Sequence, residues 1–88
     1  MIRYRVLVSG RVQGVYFRDA CRRVALQHGV NGWVRNLPDG RVEGVFEGEA
    51  EDVARVVDWT RHGPDRAVVA DVALQAEPAE GLGAFLIR

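Results

Sequence analysis

The sequence predicts an α+β sandwich built as βαββαβ with a short strand at its C-terminal end, and three observations carry that reading. The apolar pattern changes period four times along the chain, between the alternation of a strand and the three-to-four spacing of a helix. Between the two middle strands stands Pro38-Asp39-Gly40, a turn in which Pro presets φ and Gly supplies a positive one, so those strands should pair as a hairpin. No linker, repeat or low-complexity run divides the 88 residues, and a composition of 48% hydrophobic and 27% charged is that of a soluble globular chain. Residues 1–88 therefore read as one small domain with a single core.

Each element has its own signal. Tyr4, Val6 and Val8 alternate with Arg3, Arg5 and Leu7, which predicts a first strand with one face buried. From Arg18 to His28, the positions Phe17, Cys21, Val24, Ala25 and His28 recur at helical spacing, and Gly29 supplies the stop. Residues 30–37 and 41–47 make the hairpin. Glu49, Glu51 and Asp52 suit the N-terminus of a second helix and Arg55, Arg61 and His62 lean toward its C-terminus, the order the macrodipole favours. Val53, Val56, Val57 and Thr60 share one face of it, and Gly63-Pro64 ends it. Residues 67–76 form the fourth strand, with Val68, Ala70, Val72, Leu74 and Ala76 expected on one face. After a turn around Gly81 and Gly83, Ala84 to Arg88 add a short edge strand.

Two interleaved right-handed βαβ crossovers turn this order into a ferredoxin-like, mainly antiparallel sheet with both helices on one face. Strands one and three should lie adjacent at the centre, strand two beside strand three, and the fifth strand beside strand two. The other face would carry Arg3, Arg5, Trp33, Arg35, Glu43 and Glu47, a polar and partly aromatic surface open to water. Trp33 and Trp59 are expected to act as packing residues.

Charge is unevenly spread. The chain has no lysine; residues 1–41 hold eight arginines against two acids, a net +6, and residues 42–88 hold the balancing −6. The basic half should favour a small anion over a neutral ligand. The single cysteine, Cys21, cannot make an internal disulfide, falls on the apolar side of the first helix, and reads as a core residue in a reducing compartment. His28 and His62 stand alone near helix ends and read as caps or surface. No group of His, Cys, Asp and Glu has ligand spacing, so neither metal nor cofactor is expected. Met1 to Arg5 does not read as a leader and no run approaches a membrane span, so a cytoplasmic protein without a membrane partner is expected.

The richest segment is Gly10-Arg11-Val12-Gln13-Gly14-Val15-Tyr16-Phe17-Arg18, which joins the first strand to the first helix. A glycine-bracketed turn at the mouth of a helix gathers N–H groups that have no partner inside the helix and aims them at one point, where an anion is stabilised. Arg18 adds a planar guanidinium whose paired donors fit two oxygens of a phosphate or carboxylate. This is not a nucleotide P-loop, which needs GxxxxGK[ST], nor a dinucleotide fingerprint, since Gly10 and Gly14 are wrongly spaced. By physics alone, a tight turn whose Arg18 meets a surface carboxylate explains the segment as well.

A second segment changes that balance. Val8 to Arg18 reads V-x-G-x-V-Q-G-V-x-F-R and the strand pair from Gly32 to Gly48 carries G-W-V-x-N-x-x-x-G-x-V, in that order, and together they closely resemble the two signatures of the acylphosphatase family. The resemblance implies hydrolysis of the mixed anhydride between a carboxylic and a phosphoric acid. It implies Arg18 and Asn36 in the two catalytic positions, and phosphate binding by Gln13, Gly14, Val15, Tyr16, Phe17 and Arg18. The substrate would be a small acyl phosphate, with inorganic phosphate as product and inhibitor, no nucleic acid, and a monomeric, free-standing enzyme. Tyr16 fills a loop position where relatives often differ, which bears on substrate range.

Two other classes share parts of this pattern. A binding module without turnover would keep the cradle but have no use for an asparagine that orients water, which makes Asn36 the discriminating residue. An RNA-binding domain of the same fold would interleave aromatic and basic residues on its central strands, whereas Val42 to Glu47 is acidic there.

Overall fold

A computed structural model describes all residues, 1–88. The elements follow as β1 (Ile2–Arg11), α1 (Phe17–Gln27), β2 (Asn31–Asn36), β3 (Val42–Gly48), α2 (Ala50–Thr60), β4 (Val68–Glu77) and β5 (Phe85–Ile87). They form one sheet in the order β4-β1-β3-β2-β5. β1 pairs antiparallel with β3 and β4, β2 pairs antiparallel with β3, and β5 runs parallel to β2. The expected ferredoxin-like arrangement holds, including the place of the fifth strand.

The core lies between the sheet and the two helices. Val6 and Val8 of β1, Val34 of β2, and Val42 and Phe46 of β3 meet Phe17, Cys21 and Ala25 of α1 and Val53, Val56 and Val57 of α2. Phe46 stacks on Phe85 with ring centroids 5.9 Å apart, which anchors the three-residue β5 to the sheet. Removing a ring such as Phe46 from so dense a site would cost about 3–5 kcal/mol. Cys21 is fully buried here, and burial pushes its thiol well above the usual range, so it packs rather than reacts. His28 is the C-cap of α1, and Gly29 stops the helix at φ 66°.

Three expectations need correction. β4 does not keep one face throughout: its register with β1 shifts between Ser9 and Gly10, so Val69 and Val72 reach the core while Val68 is 62% exposed and Ala70 points away from it. The shift is a β-bulge, whose extra residue reverses the alternation. Gly10 sits in it at φ 121°, where a Cβ would collide with the Val68 carbonyl oxygen.

The helix-free face, secondly, is far less wet than a polar surface would be. Arg3, Glu43, Val45 and Glu47 are buried there. Arg3 pairs with Glu47 at 2.9 Å and Glu77 at 3.1 Å, and Glu43 takes Arg5 at 2.8 Å and Arg35 at 2.6 Å. The chain between β4 and β5 then crosses this face. The N–H groups of Glu80, Gly81 and Leu82 donate to the Glu47 carboxylate at 2.8–3.0 Å, and Asn31 Nδ2 donates to the Leu82 carbonyl at 2.8 Å. To join strands on opposite edges of the sheet, this segment must cover one face, and the helices occupy the other.

The third correction concerns Trp33. Trp59 packs on Phe17 with centroids 5.2 Å apart, as a packing residue should, but Trp33 lies on the strapped face between two guanidinium groups, Arg35 at 5.4 Å and Arg88 at 4.7 Å from its ring.

Candidate active site

Ten strand residues of β1 end at Arg11, and the chain must turn at once to start α1 at Phe17. It does so through two left-handed residues, Gly14 at φ 73° and Tyr16 at φ 62°, the second serving as the N-cap of α1. No backbone acceptor takes the N–H of Gly14, Val15 or Tyr16, and the ladder of α1 begins only at Ala20, whose N–H donates to the Tyr16 carbonyl at 3.1 Å. The loop and first turn thus present a concave run of free donors, reinforced by the positive end of the helix.

Arg18 sits in this first turn, half-buried, and enters no ion pair or side-chain hydrogen bond, although acids on the sheet take up Arg3, Arg5 and Arg35. Its neighbour Asp19 is directed to Arg23, 3.1 Å away and one helical turn on. The Arg18 guanidinium is left to whatever enters the site.

Asn36 ends β2, opposite Val42 of the hairpin. Its Oδ1 is buried and has no hydrogen-bond partner. An orphaned buried acceptor costs about 1–3 kcal/mol, so such atoms are rare outside sites that complete themselves with a ligand or water. The hairpin turn is tight, closed by the Leu37 N–H to the Arg41 carbonyl at 2.8 Å, and Asp39 caps it through the Arg41 N–H at 3.1 Å. That N–H, more than the nearby guanidinium, holds the Asp39 carboxyl below its usual range.

Arg18 and Asn36, far apart in sequence, line one cavity of about 360 Å³ together with Val12, Gly14, Tyr16, Phe17, Asp19 and Ile87. Gln13 and Val15 do not line it. The Val15 side chain is buried in the core. Gln13 Nε2 donates to the Leu37 carbonyl at 2.8 Å and the Arg41 carbonyl at 3.0 Å, which clamps the loop to the hairpin turn just beyond Asn36. With both side chains engaged inside the fold, only the backbone of these two residues faces outward along the loop. Val12, Asp19 and Ile87 escaped the sequence reading; Asp19 adjoins Arg18 in sequence, but nothing local marks Ile87, which β5 delivers from the far end of the chain. No three His, Cys, Asp or Glu side chains come together where they could hold a metal ion.

A profile of the acylphosphatase family matches residues 4–87. The chain is 61% identical over 79 residues to an acylphosphatase of Rubrobacter xylanophilus, covering 90% of this chain and 72% of that protein. It is 56% identical over 84 residues to one of Gloeobacter violaceus, covering 96% of this chain and 90% of that one. Its backbone is similar to the crystal structure of acylphosphatase from Bacillus subtilis, with a TM-score of 0.97 at 36% identity over 100% of this chain and 99% of the other. With residues 4–87 matched by the family profile and the backbone matched over the full chain, the chain belongs to the acylphosphatase family, hydrolases that split an acyl phosphate into a carboxylate and phosphate.

Proposed function

We propose that the N–H groups of residues Gln13 to Arg18 and the guanidinium of Arg18 hold the phosphoryl group of the substrate, while Asn36 orients the attacking water. The observation that carries this division of labour is the pairing, in one cavity, of a guanidinium without an anion and a buried amide oxygen without a donor. Three phosphoryl oxygens suit the first and a water proton suits the second.

The chemistry needs little more. A carboxylate is a weak base and departs as an anion, so no general acid has to protonate it. What remains is to hold the phosphoryl oxygens, offset their charge as the bond to the leaving oxygen loosens, and keep a water in line on the far side. Asn36 cannot act as a strong base, so the proton of the attacking water passes to a phosphoryl oxygen. Arg18 and the loop amides supply the positive charge that a divalent ion supplies in other phosphoryl-transfer sites, so the reading requires no metal.

We further read the chain as a single acylphosphatase domain that works as a cytoplasmic monomer on small acyl phosphates, inhibited by inorganic phosphate. No helix is long and apolar enough to cross a membrane. A nucleic-acid partner is not part of this reading, because the sheet face on which RNA would lie is crossed by residues 78–84 and its arginines are paired with Glu43, Glu47 and Glu77. The test is steady-state hydrolysis of benzoyl phosphate by the wild type, Arg18→Ala and Asn36→Ala, with the inhibition constant for phosphate measured on each. Full activity in either variant would refute the assignment of that residue.

A further inference from the structure

We infer that Asp19 is a charge-selecting residue of the phosphoryl site, whose carboxylate weakens the hold on a doubly charged substrate or product and so favours the transition state over both; this rests on the catalytic reading above. Asp19 is the one acid among the eight residues that line the cavity. Beside loop amides and an arginine that suit an anion it is a local conflict, and natural sequences keep such conflicts chiefly at functional sites. The helix accounts for it only in part. An acid in the first turn of α1 meets the positive end of the helix dipole, and Arg23 pairs with it at 3.1 Å one turn on. No side-chain hydrogen bond caps the helix here, however, and an acid on the solvent side of that turn would serve the dipole without lining the cavity.

The balance of charge explains the placement. The ionised side chains that line the cavity are Arg18 and Asp19, and their charges cancel. What attracts an anion beyond that is the run of free loop N–H groups and the end of α1. Such a site holds a dianion less tightly than Arg18 alone would allow, because the repulsion of a carboxylate grows with the charge opposite it. Arg23 does not line the cavity, and the two members of the pair are 62% and 73% exposed, so the repulsion is partly neutralised and open to screening by salt. The phosphoryl group of the substrate starts as a dianion. As the bond to the leaving oxygen loosens, its electron pair departs with the carboxylate, and the phosphoryl group approaches a metaphosphate-like state of lower charge. Repulsion by Asp19 therefore falls on the way to the transition state and returns in the product phosphate. A group that opposes the ground state more than the transition state raises kcat.

Inhibition of benzoyl phosphate hydrolysis by phosphate and by sulfate tests this in the full chain. At low salt, Asp19→Asn should lower KM and the inhibition constants of both anions by about three- to tenfold, the effect of one carboxylate on a dianion across a few ångströms of largely aqueous surroundings. Its kcat should fall as well, so that kcat/KM moves less than KM does. At about 1 M salt, where the screening length is ~3 Å, the constants of variant and wild type should converge to within about twofold. Asp19→Glu keeps the charge and should stay within about twofold of the wild type at either salt concentration. Inhibition constants that are unchanged or higher in Asp19→Asn, a fall that survives high salt, or an Asp19→Glu variant that behaves like Asp19→Asn would overturn the assignment. Failure of the catalytic reading would look different: Arg18→Ala would then keep turnover and anion inhibition at the wild-type level, whereas failure of the Asp19 assignment alone leaves Arg18→Ala inactive and Asp19→Asn indistinguishable from the wild type.

Discussion

Two regions of this molecule are built from the same residue types and use them in opposite ways. On the strapped face of the sheet, Arg3, Arg5 and Arg35 are all paired, and the Glu47 carboxylate accepts three backbone N–H groups besides Arg3. In the cavity beyond the end of β1, Arg18 has no carboxylate, the loop N–H groups have no acceptor, and Asn36 Oδ1 has no donor. A polar network satisfied from within holds the fold rigid, whereas polar groups left open beside a cavity store the binding energy for a ligand. Residue type alone does not separate the two regions. Completion of their hydrogen bonds does.

If that contrast is right, the largest effect belongs to the open cation. Arg18→Ala should lower kcat/KM on benzoyl phosphate at least a hundredfold, on the order of what losing one donor at developing charge costs, and should abolish phosphate inhibition as well. Arg18→Lys should recover little, because an ammonium cannot reproduce the bidentate contact. A lysine variant with near-normal kinetics would mean that Arg18 acts only as a charge.

Asn36→Ala should lower kcat by about a hundredfold while leaving the phosphate inhibition constant within a few-fold of the wild type, since it removes the water's anchor and not the anion's. It also deletes a buried acceptor that has no partner, so thermal unfolding should show an equal or higher Tm. Loss of phosphate inhibition as deep as that of Arg18→Ala would erase the proposed division between the two residues.

On the satisfied side, Glu47→Gln should cost about 3 kcal/mol of stability, read from denaturant unfolding, because it leaves buried Arg3 without its main partner. Activity per folded molecule should persist. Burial alone would raise the Glu47 carboxyl, but the N–H groups of Glu80 and Leu82, then Arg3 and Gly81, outweigh it and hold the carboxyl near pH 2. Its folded value lies below its unfolded one, so its contribution is complete above about pH 4.5 and is lost as the pH falls toward 2. Stability of the wild type should decline across that window and Glu47→Gln should flatten the decline; parallel curves would remove Glu47 from the acid response. Arg3, by contrast, stays charged throughout: burial pulls its guanidinium down, and the hydrogen bonds to Glu47 and Glu77 more than restore it.

The smallest expected effect is none. Turnover of benzoyl phosphate should be unchanged by a strong chelator, since Arg18 and the loop amides supply the positive charge. A simple alkyl phosphate should react barely at all, for want of an acid to protonate its leaving oxygen. Loss of activity in chelator would reveal a metal requirement outside this account, and comparable rates on the two substrates would defeat the leaving-group argument.

Local pattern was enough for the element order, for the stop at Gly29, for the hairpin at Pro38-Asp39-Gly40, and for the two motifs that hold Arg18 and Asn36. These depend on residues close in sequence: periodicity sets which face is buried, and turn chemistry sets where the chain reverses. The family, too, was readable from Val8 to Arg18 and Gly32 to Gly48. What escaped depends on residues far apart. The bulge opposite Gly10 depends on how β4 meets β1, the burial of Glu47 on a strap arriving from residues 80–82, and the place of Ile87 on the pairing of β5 with β2. The role of Gln13 belongs there as well, because its amide could have turned to an anion until the hairpin brought the Leu37 and Arg41 carbonyls within reach. A sequence carries the inventory of donors and acceptors, but whether each is spent within the fold or left for a ligand is decided only when distant strands bring their partners together, and in this protein that is the difference between a scaffold and a site.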